Sequence, residues 1–129
     1  MKKNKMVSPY FENGVFTGVR VTLGNEDFVI APRDYRGGKK MPLLKAIDAI
    51  KADDLNTWDY SQICLTMAYR KEIDKVLEDN DGDKLNNFYW VNSMYGGGPT
   101  YCYDGNFGIL DYMSYDDAYC IRPIKNLKD

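Results

Sequence analysis

At 129 residues and 44% hydrophobic, the chain is long enough to bury the core of one domain and too short for two ordinary domains. The formal net charge of -2 provides no domain-wide positive field, so we expect no nucleic-acid partner and no anionic membrane surface. No apolar run approaches the length that spans a bilayer, and we expect no membrane insertion.

The N-terminal segment, residues 1–14, is polar, and we expect it to be an arm outside the domain that could thread onto a neighbouring subunit. Its lysines are typical of the start of a secretion signal. Glu12 and Asn13, however, occupy positions where the apolar part of such a signal would lie. We therefore expect no signal peptide.

The next segment is predicted to form a β-hairpin. Apolar residues recur at even spacing between positions 15 and 23, which is typical of a half-buried strand. Gly24 and Asn25 are a turn signal, residues 28–31 are the predicted partner strand, and Pro32 ends it.

Two helices are predicted in the middle of the chain. From Met41 to Ala52 the apolar residues have helical spacing, and Pro42 suits a first-turn position where its missing N–H is harmless. A polar connector with one tryptophan follows over residues 53–60. Thr66 is the predicted N-cap of a second helix over residues 67–78, whose apolar stripe indicates a packing role.

An acidic run from Glu78 to Asp83 raises the question of a calcium site. In an EF-hand loop with Gly82 at the turn position, the first and last ligands would be Leu77 and Phe88, whose side chains carry no oxygen. An EF-hand is therefore excluded. A looser calcium site and a solvated loop that ends the helix both remain open, and we assign no metal ligands.

The cysteine count also limits the chemistry. Three cysteines and no histidine exclude a disulfide framework and the common zinc sites. Cys64, between two apolar residues, is predicted to lie in the core. Cys102 and Cys120 either form a disulfide in an oxidising compartment or pack as buried free thiols, and both alternatives remain open.

The C-terminal part, residues 88–125, combines strands with turn signals. Strands are predicted over residues 88–91, 100–104, 106–111 and 118–124. Asp104-Gly105 is the predicted hairpin turn between the second and third of these. Strands on both sides of two helices indicate the α+β class rather than a parallel α/β sheet.

Most of the chain's eleven tyrosines lie in this C-terminal part, among Gly, Asn, Ser and Asp. Such a mixture is typical of recognition surfaces, because each ring offers wide contact area and loses few torsions on binding. Aromatic side chains also fill the cores of small sheets. Both interpretations remain open from the residues alone.

Short motifs occur in a fixed order along most of the chain. They are Leu65-Thr66 with Glu72-Ile73, Tyr89-Trp90 with Ser93, Asp104-Gly105-Asn106 and Arg122-Pro123-Ile124. From about Val15 to Lys125, this order resembles that of the bacterial and phage DUF1566, or "major paralogous", domains.

The resemblance implies a C-type-lectin-like fold, in which two helices and small twisted antiparallel sheets support a ligand-facing loop region. It implies one domain over residues 15–125 and a short tail over residues 126–129. Variable proteins of phages and of diversity-generating retroelements use the same fold to present aromatic surfaces. The triplets with which true C-type lectins bind sugar through calcium are absent here, so that mode of binding is not expected.

We accordingly expect a non-enzymatic binding or attachment module, such as a phage fibre, tail-tip or capsid-decorating protein. Its partners would be a cell-surface glycan or protein receptor and other virion or surface proteins. It would lie on a virion or cell surface, and in the cytoplasm before assembly or release. A bacterial adhesin and a homo-oligomeric assembly subunit without external ligand remain alternatives.

The expected ligand-binding residues supply either contact area or orienting polar groups. They are Tyr95, Tyr101, Tyr103, Tyr112 and Tyr115 in the first class and Asn92, Asp104, Asn106 and Asp116 in the second. The chain has no histidine, which excludes Ser-His and Cys-His nucleophilic pairs, and we expect neither catalysis nor a cofactor.

Arg122 is the one charged residue whose position indicates burial, because it lies in the last predicted strand. We expect its guanidinium to tie this strand to loop carbonyls or to a carboxylate such as Asp111, rather than to contact ligand.

Overall fold

The chain has an α+β architecture, seen in a computed structural model that describes residues 6–92, 101–112 and 116–127. Within these ranges the elements are β1 (Val7–Glu12), β2 (Val15–Leu23), β3 (Glu26–Ile30), a 3-10 turn (Tyr35–Gly37), β4 (Met41–Pro42), α1 (Leu43–Ala52), α2 (Tyr60–Ala68), α3 (Arg70–Asp79), β5 (Phe88–Trp90), β6 (Tyr101–Asp104), β7 (Ile109–Tyr112), β8 (Ala118–Tyr119) and β9 (Ile124–Asn126). The strands form small antiparallel sheets in the orders β1-β2-β3-β9, β4-β8 and β5-β6-β7. The α+β prediction is therefore confirmed.

The first sheet contains the predicted hairpin β2-β3 and also strand β1. Residues 7–12 pair along β2, with Val7 opposite Val21, and Val7 packs against the core. The prediction of a polar arm over residues 1–14 is thus wrong for residues 7–12, because their backbone completes the hydrogen bonding of β2. Asn13 and Gly14 form the intervening turn, both at positive φ.

The helices differ from the prediction in their boundaries. Helix α1 is present, preceded by Met41 and Pro42, which pair with β8 instead of joining the helix. The predicted helix over residues 67–78 is wrong: α2 begins after Asp59, and α3 follows it at Arg70. Thr66 is a buried residue inside α2, and its Oγ1 donates to the Gln62 carbonyl at 3.0 Å. None of the helices in the described residues is long and apolar enough to cross a membrane.

The main core lies between the first sheet, helices α2 and α3, and one face of the β5-β6-β7 sheet. Trp58, from the connector that was predicted to be polar, is fully buried there. Its ring meets Tyr89 and Tyr103 edge-on, at centroid distances of 5.6 and 5.5 Å. A second, smaller core under α1 includes Trp90. Trp58 and Trp90 thus lie in different cores.

The end of the chain is divided between two sheets. The predicted strand over residues 118–124 is present only as β8 and the first residue of β9. Between them, the carbonyls of Ile121 and Pro123 accept from Tyr35 and Ala31 at 2.8 and 2.9 Å. The predicted tail is also shorter than expected, because Asn126 belongs to β9 and the Leu127 N–H donates to Asp27.

Candidate functional site

The β5-β6-β7 sheet determines which side chains face the core. In its antiparallel register Tyr89 lies opposite Tyr103 and Trp90 lies opposite Cys102, so the two pairs point to opposite faces of the sheet. The Tyr89 pair packs on Trp58 in the main core. The opposite face is covered only in part, by the second core.

A cleft of about 470 Å³ lies where this second face is uncovered. We call it the aromatic cleft. Its lining combines rings, amides and charged groups: Phe88, Tyr112 and Tyr119; Asn87 and Asn106; Lys40, Asp111 and Asp117; with Cys102 and Ala118 completing the wall. Such a lining offers stacking area together with several hydrogen-bonding groups.

Tyr119 is held in place by the rings on either side of it. Phe88 stacks on it at 6.0 Å with an interplanar angle of 20°, and Trp90 meets it edge-on at 4.7 Å. The Trp90 Nε1 donates to the Met41 carbonyl at 2.8 Å, which fixes the indole. The aromatic wall of the cleft is therefore organised before any ligand arrives, which lowers the entropic cost of binding.

A buried ionic network lies behind the cleft and is centred on Asp34. Its carboxylate accepts from the Arg122 guanidinium and the Tyr89 hydroxyl at 2.8 Å each, and from the Asn87 amide at 2.6 Å. Burial, followed by the Asp34 charge, raises the pKa of Tyr89 far above its usual range. Because Asn87 also lines the aromatic cleft, the network sets the orientation of one cleft amide.

Arg122 is buried, as the sequence predicted, although it lies between β8 and β9 rather than in a strand. It is fully buried, and it donates to the carbonyls of Ala31, at 2.8 Å, and of Asp83. Its carboxylate partner is Asp34, so the suggestion of Asp111 is wrong; Asp111 is exposed and lines the aromatic cleft.

The predicted site residues fall into separate groups. Asn106 and Tyr112 line the aromatic cleft, and the Tyr112 ring is 69% exposed. Asn92 and Asp116 are not among its lining residues; the Asn92 N–H donates to the Trp58 carbonyl at 2.6 Å, and Asp116 is exposed. Tyr95 and Tyr115 lie outside the described residues, as does the side chain of Tyr101.

Two of the predicted contact residues are wrong. Tyr103 is 0% exposed, packs against Trp58 in the core, and has its pKa raised to about 12 by burial. Asp104 is 4% exposed, and its Oδ1 accepts from the backbone N–H of Asn106 at 3.0 Å. Both side chains serve the fold: one fills the core and the other stabilises the turn after β6.

The sequence prediction missed several residues of the aromatic cleft. Phe88 and Tyr119 were placed in strands without a contact role. Lys40 comes from a loop far away in the sequence. It reaches the cleft because Met41, the next residue, pairs with Tyr119. No local pattern contains this pairing, so only a long-range contact could have identified Lys40.

The cysteines in this region are free thiols. Cys102 and Cys120 are both buried and unpaired, so the free-thiol alternative is confirmed and the disulfide is not formed. Burial raises the pKa of each to about 11. Both thiols therefore stay protonated near neutral pH, where a thiolate would be needed for nucleophilic chemistry. Cys64, predicted to lie in the core, is only half-buried.

The acidic loop after α3 takes part in ion pairs with nearby cations. Glu78 contacts Lys84 at 2.7 Å, and Asp83 contacts Arg33 at 3.0 Å. Among the residues that the structure describes, no group of three or more Cys, Asp or Glu side chains is arranged to hold a metal ion.

Comparisons with protein-family models, with curated proteins and with solved structures found no match to this chain. The α+β class with small antiparallel sheets is therefore established from the structure itself. The resemblance to DUF1566 domains stays a prediction.

Proposed function

We propose that the protein is a non-enzymatic binding or attachment module of C-type-lectin-like fold, and that the aromatic cleft is its contact site. The observation that carries the proposal is the preorganised stack of Phe88 on Tyr119, beside the exposed Tyr112 ring. Rings suit the apolar faces of a sugar, while Asn106 and Asp111 suit its hydroxyls. A glycan of a cell surface is the ligand class that we favour, and a protein receptor is the alternative.

The chemistry of the described residues supports contact rather than catalysis. The chain has no histidine, and its buried thiols carry pKa values of about 11. An attachment role on a virion, such as in a fibre, tail tip or capsid decoration, is part of the same proposal and rests on the family resemblance.

Binding of immobilised glycans tests the proposal. The wild-type protein is screened on a glycan array, and affinities for the strongest glycan are compared for Tyr112→Ala and Asn106→Ala. We expect each to weaken binding by about tenfold, the cost of losing one central contact. Tyr60→Ala is the matched control, because Tyr60 is 58% exposed and does not line the aromatic cleft.

If Tyr112→Ala and Asn106→Ala bind the glycan as tightly as Tyr60→Ala does, the aromatic cleft is rejected as the contact site. If no glycan on the array binds, but the protein captures a surface protein and Tyr112→Ala and Asn106→Ala abolish that capture, the site is retained and its ligand is a protein.

A second function, as a self-assembling structural subunit, is favoured by one observation. Strand β7 lies at the edge of its sheet in the described residues; its first residue, Ile109, is 50% exposed, and Phe107 in the preceding loop is 78% exposed. An exposed apolar edge is a ready surface for a second copy of the chain.

A further inference from the structure

A second cleft, of about 480 Å³, has four cationic residues among the nine that line it. We call it the basic cleft. Arg36, Lys39, Lys40 and Lys45 contribute four positive charges to its lining, and Asp48 contributes the one carboxylate. This concentration contrasts with the chain as a whole, which has a net charge of -2.

The basic cleft lies between the loop that leads into β4 and one side of α1. Lys45, Asp48, Ala49 and Ala52 line it from the helix, at the spacing that places residues on a single helical face. Met41 and Pro42 complete the lining from the strand that precedes the helix. Arg36 is held in place, because its guanidinium lies over the Tyr35 ring and 3.8 Å from Asp53.

The lysines of the described residues fall into two groups by ion pairing, and the three of the basic cleft belong, like Lys51 and Lys71, to the unpaired group. Lys75, Lys84 and Lys125 each pair with a carboxylate. Within residues 6–92, 101–112 and 116–127, no carboxylate lies within 4.0 Å of the Lys39, Lys40 or Lys45 ammonium groups. Their charges are therefore available to an anion from outside.

The two clefts are neighbours, because Lys40 lines both. The aromatic cleft also presents the carboxylates of Asp111 and Asp117. These accept hydrogen bonds from hydroxyl groups, whereas they would repel the successive phosphates of a nucleic-acid strand. A ligand that spans both clefts is thus neutral and hydroxylated at one end and anionic at the other.

From this arrangement we infer that the basic cleft binds the sulfate or phosphate ester group of an anionic saccharide, whose sugar ring occupies the aromatic cleft. The saccharide part of the inference rests on the proposed function. The oxyanion part rests only on the basic cleft, and lysines recognise such groups as point charges.

Calorimetric titration at low salt tests both parts. The probes are a disaccharide sulfated on only one of its two sugars, its unsulfated parent, inorganic pyrophosphate and ADP. The test variant is the double Lys39→Ala, Lys45→Ala. The control is the double Lys51→Ala, Lys71→Ala, which removes the same charge from exposed helix positions outside the basic cleft.

We expect the sulfated disaccharide to bind more tightly than its parent, and the test variant to weaken it by about fivefold, which corresponds to about 0.5 kcal/mol for each of the two exposed contacts that it removes. The control variant should change affinity by less than about twofold. Pyrophosphate should show the same dependence on the variants, and Tyr112→Ala should weaken the disaccharide but not pyrophosphate.

Three results would overturn the inference. Sulfated disaccharide and pyrophosphate that both fail to bind at low salt reject the basic cleft as an oxyanion site. Equal effects of the test and control variants reject it as well. ADP that binds more tightly than the sulfated disaccharide, with the same dependence on Lys39 and Lys45, rejects the saccharide and assigns the cleft to a nucleotide. If the wild-type protein binds pyrophosphate but neither disaccharide, the proposed glycan-binding function is rejected, and the basic cleft is kept as an oxyanion site.

Discussion

At the scale of single residues, Arg122 and Asp34 determine how the end of the chain is attached. The guanidinium ties the end of the chain to two other segments, through the Ala31 carbonyl and the Asp34 carboxylate in one and the Asp83 carbonyl in the other. A buried pair is costly to desolvate, and it is tolerated here because each of the three guanidinium nitrogens donates a hydrogen bond. The sequence predicted the burial of Arg122, since it is a lone cation in a segment that was predicted to be an apolar strand. It could not identify Asp34, because the pairing spans most of the chain.

Replacing Arg122 by alanine is expected to lower the free energy of unfolding by about 3 to 5 kcal/mol, because the Asp34 charge is left buried and uncompensated. Urea unfolding monitored by tryptophan fluorescence measures the loss. Arg33→Ala is the control: Arg33 contacts Asp83 at the exposed surface, and such a pair contributes less than about 1 kcal/mol.

An Arg122→Ala variant that unfolds like the wild-type protein but no longer binds glycan would contradict this prediction. It would assign the guanidinium to the ligand rather than to the fold. A loss similar to that of Arg33→Ala would also count against the buried network.

At the scale of elements, two predictions were wrong although the sequence contained signals for the observed structure. They concern the start of the second helix and the missed strand β1. Asp59 and Gln62 form a capping box at the start of α2, with Asp59 accepting from the Gln62 N–H at 2.8 Å. Asp-x-x-Gln is a recognisable helix start, whereas the chosen Thr66 lies inside the helix. The missed strand β1 precedes Asn13-Gly14, the dipeptide that favours a two-residue hairpin turn.

The predicted hairpin after Asp104 is present, but the predicted start of its second strand at Asn106 is wrong, because β7 begins at Ile109, and glycine at position 105 is needed for a different reason. The loop between β6 and β7 spans residues 105–108, and its positive φ falls on Gly108. At Gly105 a Cβ would lie only 2.4 Å from the Leu85 carbonyl oxygen. Close approach of another segment, and not the turn itself, therefore selects glycine at that position.

Asp59→Ala is expected to destabilise the protein by about 1 kcal/mol, because the first turn of α2 loses its side-chain acceptor. The midpoint of urea unfolding measures this change. Asp59→Asn keeps an acceptor oxygen at the same place and should cost only a few tenths of a kcal/mol. Equal losses for the two substitutions would show that the charge of Asp59, and not its cap, stabilises the helix.

At the scale of the whole molecule, the exposed apolar groups near β7 predict weak self-association. We expect the apparent mass in light scattering to rise with protein concentration, and Phe107→Ser to suppress the rise. Leu44→Ser is the matched control, since Leu44 is 75% exposed but lies on α1. A strictly monomeric, fully soluble protein at the highest concentration would argue against the assembly function.

The sequence by itself determined the elements that depend on neighbouring residues. Even spacing predicted β2, helical spacing predicted α1, and turn residues predicted the hairpin after Asp104, so the α+β class could be inferred. These properties are local, because a strand alternates its faces and a helix repeats over a few positions whatever the rest of the chain does.

Only the tertiary structure decided which face of each element is covered. Alternation separates Tyr103 from Cys102, but Trp58, from a distant connector, places Tyr103 in the core. The same long-range packing leaves Phe88 and Tyr119 at the aromatic cleft and brings Lys40 beside them. Contact surfaces are formed where burial is incomplete, and the extent of burial is a property of the whole packed molecule rather than of any segment.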